Sequence, residues 1–279
     1  MMPALNTPPV GELFNFPSTS PTDVRLLLQH ILQKNHAWLK THPDCSLTTQ
    51  QYQQFLQSLQ QLAHGVPLPY ILQEKAFYKN LWYITPDVLI PRPETEHLVE
   101  WALERMGQSQ NGHLIELGTG SGIVSISLQA EYPQWTIWAT DLSPTALSIA
   151  QTNAKRCLTP DQPTPHWFQS DWWQAIPPQA FDGIVSNPPY IAQQDPHLQQ
   201  GSLPHEPQIA LTPGPTGTEA LAHLISTSYE RLKPSGWLLL EHGFDQGEWC
   251  QNTFKAIGYR HVETRQDFAG LDRITGGYR

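Results

Sequence analysis

Apolar positions along this chain change their period more than once. Val24, Leu27, Leu28, Ile31 and Leu32 recur at helical spacing. They follow Ser20-Pro21-Thr22-Asp23, which combines a cap residue, a proline for the first turn and an early acid. A break at residues 41–44 separates this helix from a second one. Ser46 is expected to cap the second helix, whose apolar face is Tyr52, Phe55, Leu56, Leu59 and Leu62. The opposite face is rich in glutamine, and the regular apolar spacing makes it an ordinary solvated face. Gly65 ends this helical unit. Residues 1–21 hold no Lys or Arg and no long apolar core, so they read as a frayed arm rather than a signal peptide.

Residues 66–91 are aromatic and β-branched, with Tyr70, Phe77, Tyr78, Trp82, Tyr83, Ile84 and Val88 among them. They are expected to form short strands, a hairpin linking two domains. The turn Pro91-Arg92-Pro93 then feeds a helix from Glu94 to about Met106, whose acidic start also suits a helix N-terminus. Beyond it, short apolar runs alternate with helical patterns. Strands are expected at 113–116, 136–140, 166–169, 181–185, 237–241, 261–265 and 274–278. Helices are expected at 123–130, 218–232 and 243–256. This alternation predicts an α/β fold, a mostly parallel sheet with helices on both faces. The expected organisation is an N-terminal arm and helical domain (1–64), a β-hairpin linker (65–91) and an α/β domain (92–279).

Composition narrows the class. The 279 residues carry a net charge of −9, and no Lys/Arg run occurs. A sequence-independent grip on nucleic acid, which works by neutralising phosphates, is therefore disfavoured. Cys45, Cys157 and Cys250 are far apart with no metal-ligand spacing, which fits a reduced, cytoplasmic setting. No apolar run approaches the roughly 18 residues that a membrane span needs. A monomer is expected.

The candidate chemistry sits at four successive strand ends. Gly118-Thr119-Gly120-Ser121-Gly122 makes a tight turn into a helix, letting backbone pass close to a ligand at a helix N-terminus. Its G-x-G-x-G spacing differs from the G-x-G-x-x-G of dinucleotide folds. Asp141, about 20 residues on, can accept the hydroxyls of a ribose; it could equally cap the helix after Ser143-Pro144. Asp171 and Trp172 follow the third strand and could read and cover an adenine, although Trp172 could also be plain core. The fourth strand ends in Asn187-Pro188-Pro189-Tyr190. The prolines stiffen this turn and keep Asn187 extended. The Asn187 side-chain carbonyl and the Pro188 backbone carbonyl are two acceptors suited to a planar NH2 group. The Tyr190 ring could cover that group's face. Residues 193–216 are polar and proline-rich, a long loop of the lid or binding-loop kind, with His205-Glu206-Pro207 inside it.

Taken together, the residues from about Gly65 onward resemble the class I S-adenosylmethionine methyltransferases. More narrowly they resemble the peptide chain release factor glutamine methyltransferases, the PrmC/HemK family. The specific carriers are Pro91-Arg92-Pro93-Glu94-Thr95-Glu96 and Asn187-Pro188-Pro189-Tyr190-Ile191. Glu116-Leu117 with the glycine turn, Ser170-Asp171-Trp172, Glu206-Pro207 and Gly270-Leu271-Asp272-Arg273 accompany them. The resemblance implies a Rossmann-like seven-stranded sheet, S-adenosylmethionine as cofactor and release factors as protein partners. The reaction it implies is methyl transfer to the side-chain amide of the glutamine in their Gly-Gly-Gln motif. Gly118, Thr119, Gly120, Ser121, Gly122, Asp141, Asp171, Trp172 and Asn187 are then the expected cofactor contacts. Asn187, Pro188, Pro189 and Tyr190 are the expected substrate contacts, and the helical domain is expected to recognise the substrate. Glu116 departs from the aspartate usual in the family. An N(6)-adenine methyltransferase acting on DNA or RNA is the alternative, since it too handles a planar NH2 group. It would have to extrude its base and is expected to carry a basic face, which the net charge disfavours. A non-catalytic cofactor-binding module would be expected to lack Asn187.

Overall fold

The computed structural model describes residues 7–14, 16 and 19–279. The chain divides into two compact units, Met1–Glu74 and Lys75–Arg279. Among the described residues the first holds five helices: α1 (Val10–Leu13), α2 (Pro21–Leu32), α3 (His36–Thr41), α4 (Thr49–Ala63) and α5 (Leu68–Leu72). Val24, Leu27 and Leu28 of α2 pack with Leu39 of α3 and Phe55 and Leu59 of α4. Three details depart from the sequence expectation. Helix α4 is capped by Thr48 in a reciprocal box with Gln51, not by Ser46. Ser46 instead bridges to Pro9. Residues 10–13 of the expected arm form a helical turn. The Val10 and Gly11 amides bond the Cys45 and Pro43 carbonyls at 2.8 and 2.9 Å, and Val10 and Leu13 are buried. The rest of the expected arm falls partly outside the described residues.

The third departure is α5. Residues 68–72 read as strand because of Tyr70 and Ile71, yet Pro69 sits in a first helical turn, where its missing N–H costs nothing. The expected linker is thus divided. Helix α5 lies in the first unit. The hairpin of β1 (Glu74–Phe77) and β2 (Asn80–Tyr83) runs into the second. Residues 84–91 continue without strand pairing.

The second unit is built on seven strands: β3 (His113–Leu117), β4 (Thr136–Asp141), β5 (His166–Gln169), β6 (Phe181–Ser186), β7 (Leu232–Glu241), β8 (Arg260–Gln266) and β9 (Asp272–Tyr278). Their order is β5-β4-β3-β6-β7-β9-β8; only β9 runs antiparallel to its neighbours. Five helices accompany them: α6 (Thr95–Met106), α7 (Ile123–Glu131), α8 (Pro144–Cys157), α9 (Glu219–Arg231) and α10 (Gly247–Ile257). Alternate strand residues go to opposite layers. Leu114, Val185 and Leu239 pack with Leu98 and Trp101 of α6 and Val124 of α7. Ile115, Ile184 and Leu238 pack with Leu221 and Leu224 of α9 and Phe254 of α10. Burial on both faces is why these strands read as continuous apolar runs.

This order places the functional loops. From β3 the chain steps outward to β4 and β5, then returns to β6 on the other flank. The carboxyl ends of β3 and β6 therefore border the switch point, where open α/β sheets hold ligands. No helix among the described residues is long and apolar enough to cross a membrane.

Candidate functional site

A cavity of about 420 Å³ opens at that switch point. The glycine turn follows β3, and Gly118, Gly120 and Gly122 all have positive φ (75°, 53° and 82°). One of these positions, Gly122, also excludes a side chain for lack of room: a Cβ there would come within 3.0 Å of Ala150 Cβ and 2.7 Å of Ile126 Cδ1. The turn is braced from below by Glu116, whose Oε2 accepts from Thr119 Oγ1 at 2.5 Å and the Ser125 amide at 2.9 Å. The longer glutamate side chain thus reaches the first turn of α7. Burial raises the Glu116 carboxyl to about 7, against the opposing pull of the Thr119 and Ser125 hydrogen bonds.

Asp141 ends β4. Its two oxygens take the Gly120 amide at 2.8 Å and the Ser143 amide at 2.9 Å. The helix cap belongs to Ser143, which accepts from the Ala146 amide, so capping is not what holds Asp141 in place. A carboxylate has about four acceptor sites, so a lone pair remains for a ligand. Burial raises the Asp141 pKa against three backbone hydrogen bonds. Beyond β5, Ser170 Oγ donates to the Trp172 carbonyl and accepts from the Ala175 amide, which holds Trp172 at a positive φ of 48°. Trp172 is half-buried on the cavity wall. Asp171 is exposed at its edge and pairs with Gln174 at 2.8 Å.

Asn187, Pro188 and Pro189 form the wall that continues from β6. Asn187 Nδ2 donates to Thr95 Oγ1 at 3.2 Å, and Thr95 is buried at the start of α6. Tyr190 packs against the layer of Leu117 and Leu240, and the cavity wall as described does not include it. Its hydroxyl points to Glu241 Oε1 at 3.4 Å, and its carbonyl accepts from Gln246 Nε2 at 3.0 Å. The structure therefore brings residues expected from all four strand ends around one cavity, with Gly122 and Tyr190 standing off its wall.

The loop marked in the sequence as a lid or binding loop adds neighbours that were not assigned one by one. Residues 207–213 supply Pro207, Ile209, Ala210, Thr212 and Pro213 to the cavity, in a segment shaped by short 3-10 turns. That segment is bolted in place by Glu206, whose side chain is fully buried. Its Oε2 accepts from the Ile90 amide at 3.0 Å. Its Oε1 takes Arg92 at 2.5 Å and the Ser202 hydroxyl at 2.6 Å. A single carboxylate thus joins the Pro91-Arg92-Pro93 turn to the Glu206-Pro207 loop. Glu241 was the other omission. It ends the apolar run Leu238-Leu239-Leu240, and an acid closing such a run is the signal that could have found it. Burial raises its carboxyl to about 7, opposed by Thr95 and by the Arg273 charge.

Comparison with known proteins agrees with this geometry. Residues 17–72 match the PrmC N-terminal domain, and residues 96–202 match the methyltransferase small domain. The chain is 41% identical to the release factor glutamine methyltransferase of Coxiella burnetii, covering 94% of this chain and 93% of that one. It is 39% identical to the release factor glutamine methyltransferase of Escherichia coli K12, covering 91% of each. In fold it is similar to the hMettl16 catalytic domain solved with the MAT2A 3′UTR hairpin 6, with a TM-score of 0.56 at 16% identity over 82% of this chain and 81% of that one. A methyltransferase from Pyrococcus furiosus gives a TM-score of 0.51 at 15% identity, over 71% of this chain and 87% of that one. With such relatives covering it almost from end to end, the chain belongs to the release factor glutamine methyltransferase family.

Proposed function

We propose that this protein transfers a methyl group from S-adenosylmethionine to the side-chain amide nitrogen of a glutamine in peptide chain release factors. Family membership supports the substrate class. The observation that carries the reading is the single cavity shared by the glycine turn, Asp141, Asp171-Trp172 and Asn187-Pro188-Pro189. Its residues fit the cofactor. Gly120 is open where a Cβ would otherwise project. Asp141 has acceptors left for ribose hydroxyls, Trp172 offers a flat wall for a base, and the α7 N-terminus lies beside the turn. When bound, S-adenosylmethionine supplies an electrophilic methyl group on a sulfonium.

The chain's own task is to make a poor nucleophile react. An amide nitrogen is weakly nucleophilic because its lone pair is delocalised into the carbonyl. In this reading the Asn187 Oδ1 and the Pro188 carbonyl accept its two N–H bonds. This fixes the plane of the amide and aims the nitrogen. The same oxygens favour positive charge as it grows on that nitrogen. The N-methylated, protonated amide is strongly acidic and loses its proton readily, so no dedicated base is required. Tyr190, held at both its hydroxyl and its carbonyl, fixes the exit of the loop. The helical unit is assigned to recognition of the release factor.

The test is mass spectrometry of a release factor after incubation with the protein and isotopically labelled S-adenosylmethionine. Label on a glutamine of the Gly-Gly-Gln motif is the expected result. Label found only on adenine, with single-stranded DNA or RNA offered in parallel, would replace this reading with the nucleic-acid one.

A further inference from the structure

Pro188 and Pro189 carry no N–H, so across these two residues the acceptor loop can hydrogen-bond only through its carbonyls. The Pro188 carbonyl is one of the two acceptors in the reading above and has to stay open to the substrate. Its direction is therefore set by what holds the chain on either side. Upstream the hold is β6, together with the bond from Asn187 Nδ2 to Thr95 Oγ1 at 3.2 Å. Downstream the chain is held at the Tyr190 carbonyl, which accepts from Gln246 Nε2 at 3.0 Å.

Gln246 stands just before α10 and reaches three backbone groups at once. Its Oε1 accepts from the Gly243 amide at 2.8 Å. Its Nε2 donates to the Tyr190 carbonyl and, at 3.3 Å, to the Gly217 carbonyl. A backbone amide can only donate and a carbonyl only accept, so these partners fix which end of the Gln246 side chain is which. Gly217 presses on the same stretch of chain. Its φ is 80°, and a Cβ there would lie 2.6 Å from the Tyr190 carbonyl oxygen and 2.8 Å from the Ala192 nitrogen. The adjoining backbone is laced together as well. The Ile191 amide bonds the Leu211 carbonyl at 3.0 Å, and the Gln193 amide bonds the Gly214 carbonyl at 2.9 Å. Between those two anchors Thr212 and Pro213 line the cavity. Gln246 thus ties the end of the acceptor loop to the cavity rim and to the turn after β7.

We propose that Gln246 is a positioning residue that sets the direction of the Pro188 carbonyl by holding the Tyr190 carbonyl two residues further on. This rests on the reading of Asn187 and Pro188 as acceptors given above. The cavity wall as described does not include Gln246, and the side chain need touch neither ligand. Its effect belongs on turnover. A misdirected acceptor fails to meet the charge that develops on the substrate nitrogen, while the glycine turn and Asp141 still hold the cofactor.

The experiment compares Gln246→Glu, Gln246→Met and Gly217→Ala with the parent and with Asn187→Ala. It reads kcat and KM for release factor and the calorimetric affinity for S-adenosylmethionine. Gln246→Glu keeps an oxygen for the Gly243 amide and loses the NH2. Gln246→Met keeps the reach of the side chain and loses both ends. The two should lose kcat alike, roughly 10- to 100-fold, the upper end being the cost of misplacing a reacting group by an ångström. KM and cofactor affinity should stay near those of the parent. Gly217→Ala pushes on the Tyr190 carbonyl from the other side and should lower kcat in the same way. A role confined to bracing the Gly243 turn predicts a different pattern, in which only Gln246→Met loses turnover. Gln246→Glu with parental kcat, beside an inactive Asn187→Ala, would overturn this inference while leaving the reading of the loop intact. Loss of cofactor affinity together with turnover in Gln246→Glu would overturn it too, since Gln246 would then support the whole site. Should Gln246→Met or Gly217→Ala fail to fold, Gln246→Glu decides alone. Asn187→Ala with parental turnover would overturn both readings.

Discussion

The two walls of the cavity each rest on a buried glutamate at the carboxyl end of a strand, Glu116 on β3 and Glu241 on β7. They are secured in opposite ways. Glu116 finds its partners in the next few residues: Thr119 lies three positions away and Ser125 nine. Around it the wall is made of backbone, with glycines at positive φ and amides bonded to Asp141. Glu241 finds its partners far along the chain. Tyr190 is 51 positions away, and on the same wall Asn187 meets Thr95, at the start of α6, across 92 positions. One wall is a local motif that any sheet of this kind could carry. The other exists only when α6, β6 and β7 are correctly assembled. A nucleotide-shaped cofactor needs the first, and choice of the accepting group falls to the second.

Substitutions can pull the two walls apart. The largest effect is expected from Asn187→Ala, which removes an acceptor from the second wall and nothing from the first. Turnover on release factor should fall about 100- to 1000-fold, the range for losing one preorganised partner. Calorimetry should show cofactor affinity close to that of the parent. A parallel loss of affinity would mean that the walls are not separable.

The next effect is read as pH dependence of stability. Glu116 has an ordinary pKa of 4.5 in the unfolded chain and about 7 when folded. Between these values the folded protein holds the proton and the unfolded chain releases it. Its contribution to stability is therefore full below pH 4.5 and is lost as pH rises to about 7, by about 3 kcal/mol. Glu241 shifts in the same direction, to about 7. Denaturant unfolding across this range, compared between parent and Glu116→Gln, should show a flatter fall in the variant. A variant profile as steep as the parent's would show that Glu116 ionises normally in the fold.

Arg92→Ala tests the bolt between the Pro91-Arg92-Pro93 turn and the Glu206 loop. It strips the only charged partner shown for a fully buried carboxylate, leaving the Ser202 and Ile90 hydrogen bonds. Stability should drop by roughly 2–3 kcal/mol, somewhat less than for a buried pair with no other support. Unchanged stability in denaturant unfolding would mean that Ser202 and Ile90 suffice. The smallest effect is expected from Asp141→Ala, on the first wall. Cofactor affinity should weaken by about 1–3 kcal/mol through lost ribose acceptors, while turnover at saturating cofactor stays near that of the parent. Calorimetry showing full affinity would remove Asp141 from the cofactor site.

The difference between the walls also explains what the sequence made legible. The central strands were foreseeable because double burial leaves short apolar runs bounded by glycine, proline and polar clusters, while the edge strands β5 and β8 are more exposed and were placed by their position between helices and turns. The glycine turn and Asp141 were equally plain, being local. Strand order was not, since the antiparallel return of β9 between β7 and β8 leaves no mark on either segment. Helix α5 was misread because Tyr70 and Ile71 favour a strand, although Pro67 and Pro69 suit the start of a helix. Residues 10–13 gain their helical turn from the carbonyls of Pro43 and Cys45, a tertiary cause with no local signature. Thr95 lay within a quoted motif and Glu241 within an expected strand, yet the meetings of Thr95 with Asn187 and of Glu241 with Tyr190 are facts of assembly. Glu206 was noticed for its neighbours rather than for its burial.

That buried glutamate has a consequence for what the cavity can admit. Residues 90, 92 and 202 converge on one carboxylate, so the rim from Pro207 to Pro213 is a frame and not a flap. A frame takes its shape when the chain folds and need not be ordered again when a ligand arrives, so little entropy is lost at its edge during binding. Entry is then governed by the outline of the visitor. A glutamine at the end of a slim segment flanked by glycines can pass such an opening, whereas one seated on a broad, rigid face is kept out.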